Sequence, residues 1–380
     1  MPVVGAPDIE ATLGAAHAVL ALVLFVAPGA IALVVEPFLF VLADRYPRRW
    51  FVRGGLAVMA VASLAAALST GPVTLALALG VSYVASGTSI SLGQATLVDR
   101  DPDQRARTLA RWSLWSIAGD LAAPALLAAL ALAGTSWRTG FAVVGALLAV
   151  WAVLVAATPF ADAPTTTADT DEPRAGLLAT LRDALTDRVL VAWLFGTALC
   201  DLLDEILIVF ASLHVRVDLH AGPFWQSAVI GAVVGGGIIG LLLLDRLLQR
   251  LSERTLLVAA SVGCIVTYVP WLAVSSPLAT TLLAIPVGIC AAPLYPLAAA
   301  QAYARRPNQS GSVLAASHLF TPLGLALPFL VGALADAAGT TVALAVLALQ
   351  PLGLVILVGV APGASVGKRE SQGTPDSTSV

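Results

Sequence analysis

Long apolar stretches alternate with short polar connectors along almost the whole of this chain. A helix needs about 20 apolar residues to cross the hydrocarbon core of a bilayer. The pattern predicts eleven such spans, at roughly 12–42, 52–69, 73–98, 110–133, 139–159, 190–213, 224–244, 255–275, 278–301, 311–334 and 341–361. The predicted fold class is therefore all-α, a polytopic membrane helical bundle of about 11 transmembrane helices.

The composition supports a lipid-covered surface. The chain is 58% hydrophobic and 11% charged, with a mean hydropathy of +0.91, whereas soluble domains carry about 25% charged residues. Cys200, Cys264 and Cys290 lie within apolar segments, and their spacing fits neither a disulfide framework nor a zinc site. We therefore expect no metal site and no cofactor.

The basic residues predict an orientation. Of 20 Lys and Arg, 18 lie in alternate loops or in the tail, at or beyond the ends of the spans, and only Arg138 and Arg216 lie in the other loops. Cytoplasmic loops carry the Lys/Arg excess of polytopic membrane proteins. We expect a multi-pass protein of the cell inner (plasma) membrane, with a central linker and the C-terminus in the cytoplasm.

The chain divides into two halves. Residues 1–159 form an N-terminal half of five spans, 160–189 a cytoplasmic linker, 190–361 a C-terminal half of six spans, and 362–380 a polar tail expected to be disordered. The second part of the linker predicts a short amphipathic helix, because four leucines share one helical face: Leu177, Leu178, Leu181 and Leu185.

The two halves resemble each other in sequence. Asp44 and Arg45 recur as Asp245 and Arg246, at an offset of 201, and Gln94 recurs as Gln301. Paired halves are typical of secondary transporters. The same offset places the partner of span 190–213 mostly before Met1, so we expect the equivalent of the first helix to be absent from this chain.

Residues 42–49 (Leu-Ala-Asp-Arg-Tyr-Pro-Arg-Arg) carry a family resemblance. They resemble the signature Gly-x-Leu-Ala-Asp-Arg-x-Gly-Arg-Arg between helices 2 and 3 of the major facilitator superfamily, with Phe40 and Pro47 in place of its glycines. Residues 245–250 form a degenerate second copy. The resemblance implies two pseudo-symmetric halves around a central cavity, which rock to expose it alternately to each side of the membrane.

The same resemblance implies a cytoplasmic gate, in which charge pairs hold the helix ends together when the cavity opens outward. The implied gate residues are Asp44, Arg45, Arg48, Arg49, Asp245 and Arg246. The alternative is that these arginines only anchor the loops in the cytoplasm. Orientation alone does not require an acid, so Asp44 favours the gate, whereas for Arg49 both interpretations stand.

Acidic residues inside the spans are candidates for proton coupling. An ionised side chain in hydrocarbon costs about 2.5–3.5 kcal/mol, so it usually faces a cavity or a partner. Asp120 lies near the middle of its span, and Asp201, Asp204 and Glu205 share one helical face. Three neighbouring carboxylates repel when all are ionised, so at least one is expected to hold a proton near neutral pH. The alternative is that Asp204 and Glu205 only bind a neighbouring helix.

Glu36 and His318 complete the set of candidates for the proton-coupling and substrate cavity. Glu36 precedes Pro37 in its span, and His318 lies inside span 311–334. A histidine titrates near physiological pH and is therefore suited to proton relay. The alternatives are that Glu36 pairs with the cytoplasmic arginines and that His318 is a structural hydrogen-bonding group.

The functional prediction is a proton-coupled secondary active transporter and not an enzyme, since the sequence contains no nucleophile triad and no Gly-rich phosphate loop. The leading interpretation is export of a small organic molecule, because Gly119 and Pro124 partly match an exporter signature in helix 5 of the resembled family. The alternatives are proton-coupled uptake of a nutrient and a degenerate membrane protein that does not transport. The acidic spans predict a neutral or cationic substrate. The expected partners are this substrate, protons and the lipid bilayer, with no nucleic acid, and the expected state is a monomer.

Overall fold

A computed structural model describes residues 22–160 and 177–361, together with Ile9, Thr12 and Val19. The expected absence of a first-helix equivalent, the Thr-rich part of the linker (161–176) and the tail (362–380) concern residues outside this described part. Where the structure is described, the regular elements are all helical. The prediction of an all-α fold is therefore confirmed.

The described N-terminal half contains six helices, beginning after a π-helical turn at Leu22–Val26. They are α1 (Ala27–Ala43), α2 (Arg48–Ala67), α3 (Pro72–Ser86), α4 (Leu92–Arg100), α5 (Arg105–Leu132) and α6 (Trp137–Ala157). The π-helical turn Gly87–Ser91 joins α3 to α4, so these two helices form one continuous span. The short helix α7 (Leu177–Thr186) follows in the linker.

The C-terminal half contains ten helices between Arg188 and Val360. They are α8 (Arg188–Ala198), α9 (Glu205–Val217), α10 (Pro223–Leu247), α11 (Glu253–Ala273), α12 (Pro277–Ala291), α13 (Leu294–Arg305), α14 (Ser310–Ser317), α15 (Thr321–Ala338), α16 (Thr340–Leu347) and α17 (Leu349–Val360). Short 3-10 turns at Leu199–Leu202 and His318–Phe320 interrupt two of the spans.

Among the described residues, nine helical segments are long and apolar enough to cross a membrane. The other two predicted spans differ in detail from the expectation. Helix α5 begins at Arg105 rather than at residue 110, because its basic first turns bind acidic groups of the other half. Span 190–213 is broken at residues 199–204, where the side chain of Gln350 accepts the freed backbone N–H of Leu203 at 2.9 Å.

Close helix contacts hold each half together. Helix α2 packs against α3 and α6, and α10 packs along α12. A Cβ atom added at Gly236 would overlap the carbonyl oxygen of Ile285, and one at Gly288 would overlap that of Val233. Glycine at these positions therefore lets the α10 and α12 backbones touch, as small residues do in membrane helix pairs.

The halves meet through α1 with α14, and through α5 with α10 and α13. We call the end of the bundle that carries the loops 44–47, 248–252 and 306–309 the basic end, and the opposite end the far end. Towards the far end, α5 and α15 expose most of their described side chains, including Leu121, Leu132 and Phe329. The described halves are thus bonded to each other at the basic end, and we call the space beside the exposed far-end parts of α5 and α15 the cleft.

Candidate functional site

Asp44 joins the two halves at the basic end. Its carboxylate, at the end of α1, accepts the backbone N–H groups of Gly311 at 2.9 Å and Ser312 at 2.7 Å, and the hydroxyl of Ser312 at 2.8 Å. These N–H groups belong to the first turn of α14, where the helix offers them no partners of its own and carries the positive end of its dipole. The carboxylate of one half therefore caps a helix of the other.

Arg48 extends this contact to a second carboxylate. Its guanidinium donates to Asp44 at 2.8 Å and to Asp99 at 2.7 Å, and the hydroxyl of Ser310 also donates to Asp99, at 2.6 Å. Burial raises the pKa of Asp44, and the charge of Arg48 and the Ser312 and Gly311 hydrogen bonds oppose that rise. The buried guanidinium thus helps to keep a desolvated carboxylate ionised.

A second inter-half contact joins α5 to α10 and α11. Arg107 donates to both carboxylate oxygens of Asp245, at 2.7 and 3.2 Å, and Arg111 donates to the same carboxylate at 2.9 Å. The carboxylate of Glu253 accepts the backbone N–H of Ala106 and the side-chain amide of Gln301. The first turn of α5 is therefore bound by an acid of the C-terminal half, the reciprocal of the Asp44 contact.

Helix α7 is bonded to both halves. Arg45 donates to the hydroxyl of Thr180 at 3.1 Å, and Arg306 donates to Asp183 at 2.8 Å. The apolar side chains of Leu181 and Leu185 pack against the protein core. The remaining two predicted gate residues, Arg49 and Arg246, are exposed at the basic end.

Acidic side chains of both halves lie close together. Asp120 of α5 and Asp204 and Glu205 of the C-terminal half are solvent-accessible. Asp204 lies close enough to the other two for their charges to repel. The structure thus brings together three of the predicted carboxylates, whereas the side chain of Asp201 lies outside the described part.

Glu36 and His318, predicted separately, form a pair. The Nε2 atom of His318 lies 3.1 Å from Oε2 of Glu36, across the contact of α1 with α14. Glu36 is buried and the His318 side chain is 19% exposed.

The sequence analysis missed most partners of the predicted gate residues. They are Asp99, Arg107, Arg111, Gly311 and Ser312. It also missed Ser310, which binds Asp99, and Glu253, which binds the first turn of α5. Two signals were available. The spacing of Arg107 and Arg111 places both on one face of a helix, and the Ser-Gly-Ser run is typical of a helix start.

Comparison with known proteins identifies the fold. A family model described as the Major Facilitator Superfamily matches residues 1–327. Among curated proteins, no significant match was found.

Two solved structures of a fucose:proton symporter resemble this chain. A point variant of the E. coli protein, FucP, has a TM-score of 0.72 at 13% identity, over 95% of this chain and 97% of that one. FucP in the outward conformation has a TM-score of 0.69 at 14% identity, over 94% and 90%.

A third similar structure is human. The organic anion transporter MFSD10 has a TM-score of 0.62 at 18% identity, over 94% of this chain and 89% of that one. At these identities, the three likenesses bear on the fold alone.

Proposed function

Since this chain belongs to the Major Facilitator Superfamily, whose members are multi-pass membrane transporters rather than enzymes, we propose that it is a proton-coupled secondary active transporter. It moves a small neutral or cationic organic molecule by alternating access. The observation that carries the proposal is the asymmetry between the two ends: the halves are bonded at the basic end through Asp44 and Asp245, whereas α5 and α15 are exposed towards the far end.

The basic end is proposed to be cytoplasmic, because Lys and Arg concentrate on that side of membrane proteins. The described conformation is then closed to the cytoplasm and open outward. The gate consists of Asp44, Arg45, Arg48, Asp245 and the side chains that bind them, with Arg49 and Arg246 at its exposed rim. Rocking of the two halves would break these contacts and expose the cleft to the cytoplasm.

The charge of the cleft supports the choice of substrate. Asp120 lies on α5, and Asp204 and Glu205 lie close to it and are solvent-accessible, whereas the basic side chains of α5 lie at the basic end, where two of them bind Asp245. An anion would need a cationic partner inside such a cleft. A neutral or cationic molecule instead meets groups that can accept its hydrogen bonds or balance its charge.

A transport assay tests the proposal. The full chain is reconstituted in proteoliposomes with an imposed pH gradient and is screened with neutral, cationic and anionic organic molecules. We expect saturable, gradient-driven accumulation of a neutral or cationic compound. With the orientation in the vesicles known, substrate movement against the proton flow indicates export, our leading direction, and movement with it indicates uptake. Saturable transport of anions alone contradicts the proposed substrate class.

Substitution of two carboxylates inside the spans tests the coupling. Asp120→Asn and Asp201→Asn keep side-chain shape but remove titration, so each is expected to abolish uphill accumulation while substrate exchange remains measurable. Asp336→Asn, at an exposed position of α15, is the matched control. If both span variants accumulate substrate with the wild-type pH dependence, Asp204, Glu205 or Glu36 becomes the better candidate.

A further inference from the structure

The contact between α1 and α14 is built as three successive layers. Glu36, Phe40 and Asp44 are spaced four residues apart on α1, so they share one face. Asp44 forms the outer layer with the first turn of α14. Phe40 and Ala315 are both fully buried and belong to one apolar cluster, which forms the middle layer. The inner layer is Glu36 with His318.

The inner layer is tightly enclosed. A Cβ atom added at Gly87, in the π-helical turn Gly87–Ser91, would overlap the carboxylate of Glu36. The ring of Phe40 meets that of His318 edge-on at 5.0 Å. The Nδ1 atom of His318 is buried, and among the described residues it has no hydrogen-bond partner. The carboxylate and the imidazole thus depend on each other for polar contact.

The helices packed on α1 and α14, namely α3, α4, α7, α8 and α13, carry the other ionisable groups on this side of the contact. Those without a described ionic partner are Tyr83, Arg100, Arg182, Arg188 and Tyr303. Helix α15 packs on the turn His318–Phe320, and its charged residue, Asp336, lies 18 residues after His318. Tyr295 lies on α13, and Arg45 bonds to α7. Asp44, Asp99, Asp183 and Arg305 are engaged in the basic-end contacts. Glu36 lies eight residues, or about 12 Å, from Asp44 along the helix.

The charge of the pair depends on its protons. With an ionised Glu36 and a neutral His318, the pair carries a net negative charge in a buried apolar layer, which is costly. One additional proton makes the pair neutral overall and allows a hydrogen bond between Oε2 and Nε2, which lie 3.1 Å apart. When the layer opens to water, each group returns towards its solution behaviour, with a carboxylate ionised and an imidazole mostly neutral above about pH 7.

We propose that Glu36 and His318 together bind one proton while the contact of α1 with α14 is closed, and release it to water at the basic end when that contact opens. The inference rests on the proposed function and names the group that couples the proton to the gate. The proton moves from the Glu36–His318 pair to water, and no other covalent bond changes. The pair is therefore a proton-dependent latch between the halves.

The latch predicts the direction of a pH effect. The closed state binds one more proton than the open state, so a rise in pH favours opening at the basic end. The ratio of open to closed molecules should change by up to tenfold for each pH unit, within the range where only the closed pair is protonated. The effect should be seen without substrate.

Distance measurements between spin labels test the latch without a transport assay. Labels are attached at Tyr46→Cys and Pro307→Cys, two exposed positions on either side of the contact, in a full chain whose three native cysteines are replaced by serine. The protein is placed in lipid nanodiscs, and distances are recorded between pH 5.5 and 8.5. We expect the long-distance population to grow as the pH rises.

Two substitutions identify the proton site. Glu36→Gln should flatten the pH dependence, because it leaves no carboxylate to bind the proton. His318→Gln keeps a buried carboxylate but removes its partner, so it should move the pH range over which the open fraction changes. Asp336→Asn is the control and should keep the wild-type slope over the wild-type pH range. A wild-type protein without pH dependence, or the wild-type slope over the wild-type pH range in either variant, overturns the proposal.

A third variant guards against loss of folding. Gly87→Ala changes neither ionisable residue, but its new Cβ atom displaces the Glu36 carboxylate from His318. This variant should therefore also flatten the pH dependence. Retention of the wild-type slope would argue against the pair. Failure of the latch leaves the proposed function standing if transport is still driven by a pH gradient. Conversely, if opening depends on pH as proposed but the protein transports no compound, the proposed function is contradicted and the latch is not.

Discussion

The carboxylate of Asp44, at the end of α1, accepts the backbone N–H of Ser312, in the first turn of α14, at 2.7 Å. The two residues belong to different halves of the molecule, so this bond exists only while the basic end is closed. The bonds of Glu253 to Ala106 and of Asp245 to Arg107 have the same property. Changes at these residues should therefore alter the balance between closed and open molecules more than the fold of either half.

Removal of the Asp44 carboxylate should open the basic end. Asp44→Ala leaves the N–H groups of Gly311 and Ser312 without their acceptor and removes one of the two carboxylates bound by Arg48. Losing a charged hydrogen-bond partner costs about 1.5–3 kcal/mol, so the open fraction should rise at least tenfold. The measurement is the distance between spin labels at positions 46 and 307.

Two further variants control this experiment. Asp44→Asn retains an acceptor oxygen but loses the charge, so its effect should be smaller than that of the alanine variant. Asp103→Ala removes an exposed acid from another loop of the basic end and should leave the distance distribution unchanged. An unchanged distribution in Asp44→Ala would show that Asp44 does not hold the halves together.

A side chain added at Gly311 should also open the basic end, without removing any charge. A Cβ atom there would overlap the carbonyl oxygen of Phe40 and the carboxylate of Asp44. Gly311→Ala should therefore favour the open state by steric exclusion. Gly93→Ala is the matched control, because its new Cβ would meet its nearest neighbour, Trp112, at an ordinary 3.8 Å. Equal distance distributions for the two variants would contradict the close approach of α1 and α14.

The two arginines on Asp245 should contribute unequally. The side chain of Arg107 is 27% exposed and that of Arg111 is 57% exposed, so water screens the second pair more. Exposed ion pairs contribute about 0.2–1 kcal/mol. Double-mutant cycles of each arginine with Asp245, each residue changed to alanine, should give a larger coupling for Arg107 when the open fraction is measured between labels at Asp103 and Gln249. A larger coupling for Arg111 would argue against the bidentate Arg107 contact.

Asp187 should stabilise the protein in a pH-dependent way. Partial burial tends to raise its pKa, but the backbone N–H of Leu190, the charge of Arg305 and the N–H of Val189 together lower it below the usual value. A lowered pKa means that this stability is present above the unfolded value of about 3.9 and is lost as the pH falls through the folded value. Asp187→Ala should cost about 1 kcal/mol at pH 7.

Thermal unfolding in detergent measures this cost across pH. The difference in Tm between wild type and Asp187→Ala should stay constant from about pH 5 to 8 and shrink below about pH 4. Asp187→Asn retains a capping side chain and should lose less at pH 7 than the alanine variant. A difference that grows on acidification would contradict the lowered pKa.

The order of the described spans could be predicted from the sequence because lipid exposure favours helices that are apolar over most of their length. Asp44, the acid in segment 42–49, could also be predicted as a gate residue, because the orientation of the protein in the membrane requires only the arginines beside it. What binds Asp44 could not be predicted, because Ser312 lies 268 residues away and offers a backbone N–H, which every residue but proline carries.

The break at residues 199–204 shows the same limit. This segment contains neither proline nor glycine, so no local signal predicts the end of the helix. The freed N–H of Leu203 is bound by Gln350, a residue of α17 that the pattern places in an ordinary apolar span. Pairing of Glu36 with His318 was hidden for a related reason, because it depends on how the two halves meet and not on either helix alone.

Gly87 has a consequence for sequence variation in relatives of this chain. Its missing side chain is the space that the Glu36 carboxylate fills. The two positions therefore share a fixed volume, and a larger residue at 87 is compatible only with a shorter one at 36. Where a homologue has alanine at 87, we expect aspartate or a small neutral residue at 36. The two positions should therefore vary together, and the residue at 87 should indicate which members of the family retain glutamate at 36.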